Sequence, residues 1–226
     1  MSSVAELLSG VLRYFPNLMI VTLFVLGVTT GRLPFILVSI GGLMVVVATL
    51  TLQYILADTF GLGPPTDGPG ASLIEACSLL PVATGGEYSA TPSLWVAASS
   101  FFATYIFMNA SNVYTQTPAR VNKDKIGVQQ RKGIGLISML AVTILFAFIL
   151  SSRMILKLSP FVWKQCETTL GVVLGLAVGV FGGWGWWKLL DACGPDYYPD
   201  IHGVMLGLKP GSLHTNPKVC APTNKK

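Results

Sequence analysis

The sequence predicts an all-α polytopic membrane protein, a helical bundle of about five transmembrane helices, and three observations carry that prediction. Of 226 residues, 52% are hydrophobic and only 11% charged, with a mean hydropathy of +0.63, where a soluble domain carries roughly a quarter charged residues. The apolar residues fall into separate runs close to the roughly 20 residues a helix needs to cross the hydrocarbon core. Finally, the two longest connections between those runs differ in charge, one acidic without lysine or arginine and the next basic, as the positive-inside rule expects of loops on opposite faces of a membrane.

In chain order the runs are Leu18 to Gly31, Leu33 to Leu56, Leu94 to Val113, Ile134 to Leu150 and Leu170 to Leu190. The first is short and is expected to cross because Arg32 and Pro34 leave room only for a tight hairpin before the second. Ahead of it, Val4, Leu7, Leu8, Val11, Leu12 and Phe15 recur on one helical face. Residues 1–16 are therefore expected to form an amphipathic helix lying in the membrane interface. Residues 17–190 form the transmembrane bundle, with an outer loop at 57–92 and a basic inner loop at 114–133, and residues 191–226 form a C-terminal tail.

Orientation follows from the loops. Arg120, Lys123, Lys125, Arg131 and Lys132 mark the third connection as cytoplasmic, whereas Asp58, Asp67, Glu75 and Glu87 lie in a connection without lysine or arginine. Five crossings then leave the N-terminus outside and the tail inside, with Arg153, Lys157 and Lys164 on the outer side against the rule. The net charge of +5 is mostly this topology signal, so nucleic acid is not an expected partner. The four cysteines, Cys77, Cys166, Cys193 and Cys220, form no C-x-x-C pair and have no histidine at ligand spacing. Neither a metal site nor any cofactor is expected; Cys77 and Cys166 share the outer compartment, where a disulfide would be chemically allowed.

The stretch from Pro92 to Tyr105, PSLWVAASSFFATY, resembles the second motif of the type 2 phosphatidic acid phosphatase superfamily, and within it the dolichyl-diphosphatases. Pro92, Ser93, Phe101, Phe102 and Tyr105 carry the resemblance, and Trp95 stands where the family has a histidine. The family's first motif, K-x6-R-P, would fall on Ala57, Pro64 and Pro65. Its third, S-R-x5-H, would fall on Ser152, Arg153 and Ser159, with Trp163 at the acidic position and Gln165 an echo of the variant ending.

In that family one histidine attacks phosphorus, a second protonates the leaving group, and cations hold the charge that develops on the phosphoryl oxygens. A tryptophan can neither attack phosphorus nor shuttle a proton at neutral pH, and a proline has no cation to offer. The only histidines, His202 and His214, lie in the tail on the opposite face. The resemblance thus implies a phosphatase-like core without catalysis. Taken singly, Trp95 also reads as an interfacial aromatic and Arg153 as a snorkelling anchor.

Gly171, Gly175, Gly179 and Gly183 repeat every fourth residue in the last run, a stripe that lets a second backbone come close, within the chain or in a dimer. Trp184, Trp186 and Trp187 with Lys188 read as the inner membrane boundary. The tail is rich in proline and glycine yet keeps Tyr197, Tyr198, Ile201, Val204, Met205 and Leu206, more apolar surface than a spacer needs. Its DIHG and PKVCA strings, at Asp200 and Pro217, are similar to tails of internal-membrane proteins of large icosahedral DNA viruses.

The expected function is that of a non-catalytic, phosphatase-like, multi-pass integral membrane protein of an endomembrane or a viral internal membrane. It would serve as a structural or assembly subunit, possessing membrane lipids as neighbours and other protein subunits as partners of its tail. An active lipid phosphatase acting on phosphatidate or a polyprenyl diphosphate is the competing expectation, and it needs a nucleophile that the outer face lacks. A channel or transporter is disfavoured because no run carries a charge near its middle.

Overall fold

The computed structural model describes residues 2–60, 91–115, 125–155 and 169–193. Among the described residues it is wholly helical: α1 (Ser2–Thr30), α2 (Leu33–Phe60), α3 (Leu94–Thr115), α4 (Lys125–Ile155) and α5 (Thr169–Cys193). Each apolar run of the sequence lies inside one of these helices, apart from Gly31, which forms the turn after α1.

No break separates the expected interfacial segment from the first run, because α1 continues through Pro16. A proline inside a helix forfeits the bond to the carbonyl four residues back, here that of Leu12, and its ring needs a place to pack. Pro16 is fully buried, so packing offsets part of that loss.

The hairpin between α1 and α2 follows from a glycine. Gly31 takes φ of 64°, in the left-handed region open mainly to glycine. The Arg32 amide then donates to the Gly27 carbonyl at 2.9 Å and the Gly31 amide to the Val28 carbonyl at 3.3 Å. This pair of bonds is a Schellman cap, which satisfies the last carbonyls of α1. Pro34 follows in the first turn of α2, where its missing N–H costs nothing. Lower in the hairpin the Ser39 hydroxyl donates to the Ile20 carbonyl at 2.9 Å and ties the two helices together.

At the centre of the bundle stands α3, packed against each of the other four helices. Every residue from Leu94 to Phe102 is buried, on all sides of the helix. Such packing needs neighbours that come close, and each of three helices brings a glycine. A Cβ at Gly42 of α2 would stand 2.7 Å from the Phe102 ring, and one at Gly135 of α4 would stand 2.9 Å from the Ala110 carbonyl oxygen. On α5, Gly175 faces Ser93 and Val96, Gly179 faces Ala97 and Ser100, and Gly183 faces Phe101 and Thr104. The contacts advance together along both helices, so α3 and α5 run parallel.

Among the described residues, three helices are long and apolar enough to cross a membrane: Leu33–Phe60, the Lys132–Ser151 part of α4, and Thr169–Cys193. The apolar part of α1, Tyr14–Thr30, is shorter. α3 is less apolar because Ser99, Ser100, Thr104, Asn109 and Asn112 interrupt it. The cause is its position: hydropathy registers exposure to lipid, and a helix enclosed by its neighbours need not be oily. By contrast the α4 span, of which only 11% is buried, has the highest hydropathy, 2.6.

The glycine contacts are unequal, which permits an internal control. At Gly179 a methyl group would collide with the Ser100 hydroxyl and the Ala97 carbonyl, whereas at Gly185 it would meet nothing within 4 Å. Gly179→Ala is expected to destabilise the bundle by about 1–3 kcal/mol. Gly185→Ala should be neutral or stabilising by up to about 1 kcal/mol, through helix propensity. Unfolding of the two variants in mixed micelles measures the difference.

Candidate functional site

The start of α3 is the place where sequence motifs and structure meet. Thr91–Pro92 is a cis peptide bond and Pro92 is fully buried. The Gln53 side-chain amide of α2 donates to the Pro92 carbonyl at 2.6 Å. Ser93 caps α3, its hydroxyl accepting from the Val96 amide at 3.2 Å while its own amide donates to the Gly171 carbonyl of α5 at 2.9 Å. A serine at this position satisfies one of the unpaired amides of the first helical turn. Three helices are thus joined by polar bonds around two residues.

Trp95 lies one step further on and is only 1% exposed. It shares an apolar cluster with Leu94, Val96, Ile149 of α4 and Val172 of α5, closed by Phe15, Val46, Leu150 and Leu176. An interfacial aromatic keeps its ring at the headgroups, and this one does not; it is a core residue joining four helices.

These contacts fix which residues share one end of the bundle. Ala57, half-buried, is one turn beyond Gln53 on α2, and Arg153 is one turn beyond Ile149 on α4. With Pro92, Ser93 and Trp95, positions from all three sequence motifs therefore lie at the same end, with Ser152 beside Arg153. Pro64, Pro65, Ser159, Trp163 and Gln165 are outside the described residues, as are Cys77, Cys166, Cys220 and the tail beyond Cys193. What the described part holds at this end is the apolar cluster around Trp95 beside the bonds of Gln53 and Ser93. Among the described residues, no three His, Cys, Asp or Glu side chains gather in a way that could hold a metal ion.

Gly171, Gly175, Gly179 and Gly183 of α5 are all buried. Gly171 bonds to Ser93, and the other three face α3 within the chain. At the far end of α5 the tryptophans part company. Trp184 is 48% exposed, but Trp187 is 6% exposed and the Trp186 indole donates to the Leu37 carbonyl at 3.0 Å. The Trp186 ring fills the notch left by Gly41, where a Cβ would stand 2.5 Å from its nitrogen. Two of the three are therefore packing residues, and only Trp184 meets the surroundings as the boundary assignment of all three required. The sequence signal for the notch is the Gly41–Gly42 pair in α2, which is visible only once α2 and α5 are known to be neighbours.

Compared with known proteins, the chain matches no family model, no curated protein and no solved structure.

Replacing Trp95 by alanine removes the largest side chain of this cluster. A loss of about 3–5 kcal/mol is expected for a buried aromatic, and Trp95→Phe should keep most of that stability. Denaturation curves of the two variants, set against the native chain, check the assignment of Trp95 to the core.

Proposed function

We propose that the chain is a multi-pass membrane protein that works by contact, as a non-catalytic structural or assembly subunit with a phosphatase-like layout of helices. The observation that carries this reading is the burial of Trp95: the position where the phosphatase resemblance demands a catalytic histidine is filled by an indole sealed between four helices. A nucleophile needs access to substrate and to a general acid. With Trp95 only 1% exposed, this position leaves a substrate no access.

Five crossings are part of the proposal. Tyr14, Tyr54 and Phe60 are exposed toward the Ser93 end and Tyr114 toward the other, as interfacial aromatics at two membrane boundaries would be. From Arg32 to Tyr54 along α2 is about 33 Å at 1.5 Å per residue, and from Tyr14 to Arg32 along α1 about 27 Å. Both are close to the roughly 30 Å of the hydrocarbon core. α3 crosses with them because it is parallel to α5 over the same depth and is shielded from lipid.

The tail from about Tyr197 to Lys226 is the longest polar segment that follows the bundle and carries apolar residues of its own. It is the proposed partner-binding arm, and in extended form it reaches up to about 100 Å.

Two outcomes are expected. Purified protein should release no phosphate from phosphatidate or a polyprenyl diphosphate, and Trp95→His should not change this, since catalytic groups that act as a unit are not restored singly. Phosphate release by the native chain would overturn the non-catalytic assignment. Truncation after Asp196 should leave membrane insertion intact and remove the co-purifying subunits. Equal recovery of the same partners with the truncated chain would reduce the tail to a spacer.

A further inference from the structure

All three cations whose side chains are described lie at one end of the bundle, opposite Ser93. Arg32 is in the α1–α2 turn, Lys132 near the start of α4 and Lys188 near the end of α5. Trp186 bonds to Leu37, so Lys188, two residues beyond Trp186, and Arg32, five residues before Leu37, lie within about 5 Å of each other in depth. Gly135 packs on Ala110 and Tyr114, which brings Lys132, three residues earlier, to the C-terminal end of α3 at the same side. Of the carboxylates whose side chains are described, Asp191 is at this end and Asp58 at the opposite end.

What adjoins the cations matters as much as their charge. Two have an exposed leucine deeper in the bundle, Leu33 after Arg32 and Leu136 one turn from Lys132, and exposed Trp184 lies one turn deeper than Lys188. Exposed Tyr114 stands near the end of α3 on the same side, and the Lys188 ammonium stands 5.2 Å from the centre of the Trp187 ring. A cation–π contact of this kind holds the ammonium at the boundary between apolar and aqueous surroundings. Cations above and apolar side chains below fit a ligand that is a phosphate at one end and hydrocarbon at the other. A soluble acidic protein would match the charges and leave the apolar side chains uncovered.

We propose that this end of the bundle binds the headgroups of anionic phospholipids, with Arg32, Lys132 and Lys188 holding the phosphate layer and Leu33, Leu136 and Trp184 lying against acyl chains. The inference deepens the membrane reading and rests on it. Basic residues near a membrane surface each strengthen attraction to anionic lipid by about fivefold in affinity.

The test titrates the detergent-solubilised full chain with phosphatidylglycerol, phosphatidylcholine or inorganic phosphate and follows thermal unfolding. Phosphatidylglycerol is expected to raise the unfolding temperature while the other two do not. Lys132→Gln and Lys188→Gln, both at exposed positions, should each weaken the half-saturation by about fivefold, and Lys→Arg at either position should restore it. Asp58→Asn, at the opposite end, should change nothing. Equal stabilisation by phosphatidylcholine, full reproduction by phosphate alone, or an effect undiminished in both lysine variants would overturn the proposal. Carbonate extraction of membranes tests the underlying reading separately: a chain that resists extraction but shows no anionic preference keeps its membrane assignment and loses this one.

Discussion

The enclosure of α3 is the constraint on which the rest of the bundle depends. A helix buried on all sides can be reached only if its neighbours bring their backbones close, and in a membrane no hydrophobic force drives them together, since lipid tails are as apolar as leucine. Close packing and hydrogen bonds between helices remain. The glycines at 42, 135, 175, 179 and 183 supply the first, at contacts where any side chain would intrude. Gln53 to Pro92 and Ser93 to Gly171 supply the second where α3 begins.

That constraint also accounts for the polar character of α3. Ser99, Ser100 and Asn109 are buried within it, and Ser100 returns its hydroxyl to the Ala97 carbonyl at 3.1 Å. A lipid-facing helix carrying the same residues would be costly, but here α1, α2, α4 and α5 stand between α3 and the surroundings. The central helix is thereby free to be small and polar, and Phe101, Phe102 and Tyr105, with Phe101 and Phe102 edge to face at 5.1 Å between centroids, fill what remains.

Much of the fold was legible in the sequence, for a physical reason: helices that face lipid must be apolar over a length set by the bilayer, so α2, α4 and α5 declare themselves by hydropathy. The turn at Gly31 and the stripe from Gly171 to Gly183 were legible because glycine at a helix end or at a fixed spacing has few uses. The centrality of α3 was not, since it is the least apolar of the long runs. Nor was the seating of Trp186 on Gly41, residues distant in the sequence whose meeting depends on the whole bundle; a tryptophan near a helix end serves equally as a belt or a wedge. At the candidate site, the order of the runs already suggested that Ala57, Ser93 and Arg153 share one end, whereas the sealing of Trp95 depends on Phe15, Ile149 and Val172, which no local pattern connects to it.

The account stands most directly on α5 lying parallel to α3 within one chain, and cross-linking measures that. In a chain whose native cysteines are replaced, cysteines at Ser93 and Gly171, whose backbones are joined at 2.9 Å, are oxidised in isolated membranes. The loop between α3 and α4 is then cleaved and the fragments are separated without reductant. The account predicts that the two fragments stay joined at the mass of a single chain. Fragments that separate, or cross-linked products at twice the mass, would contradict it, the latter by assigning the glycine stripe to a dimer.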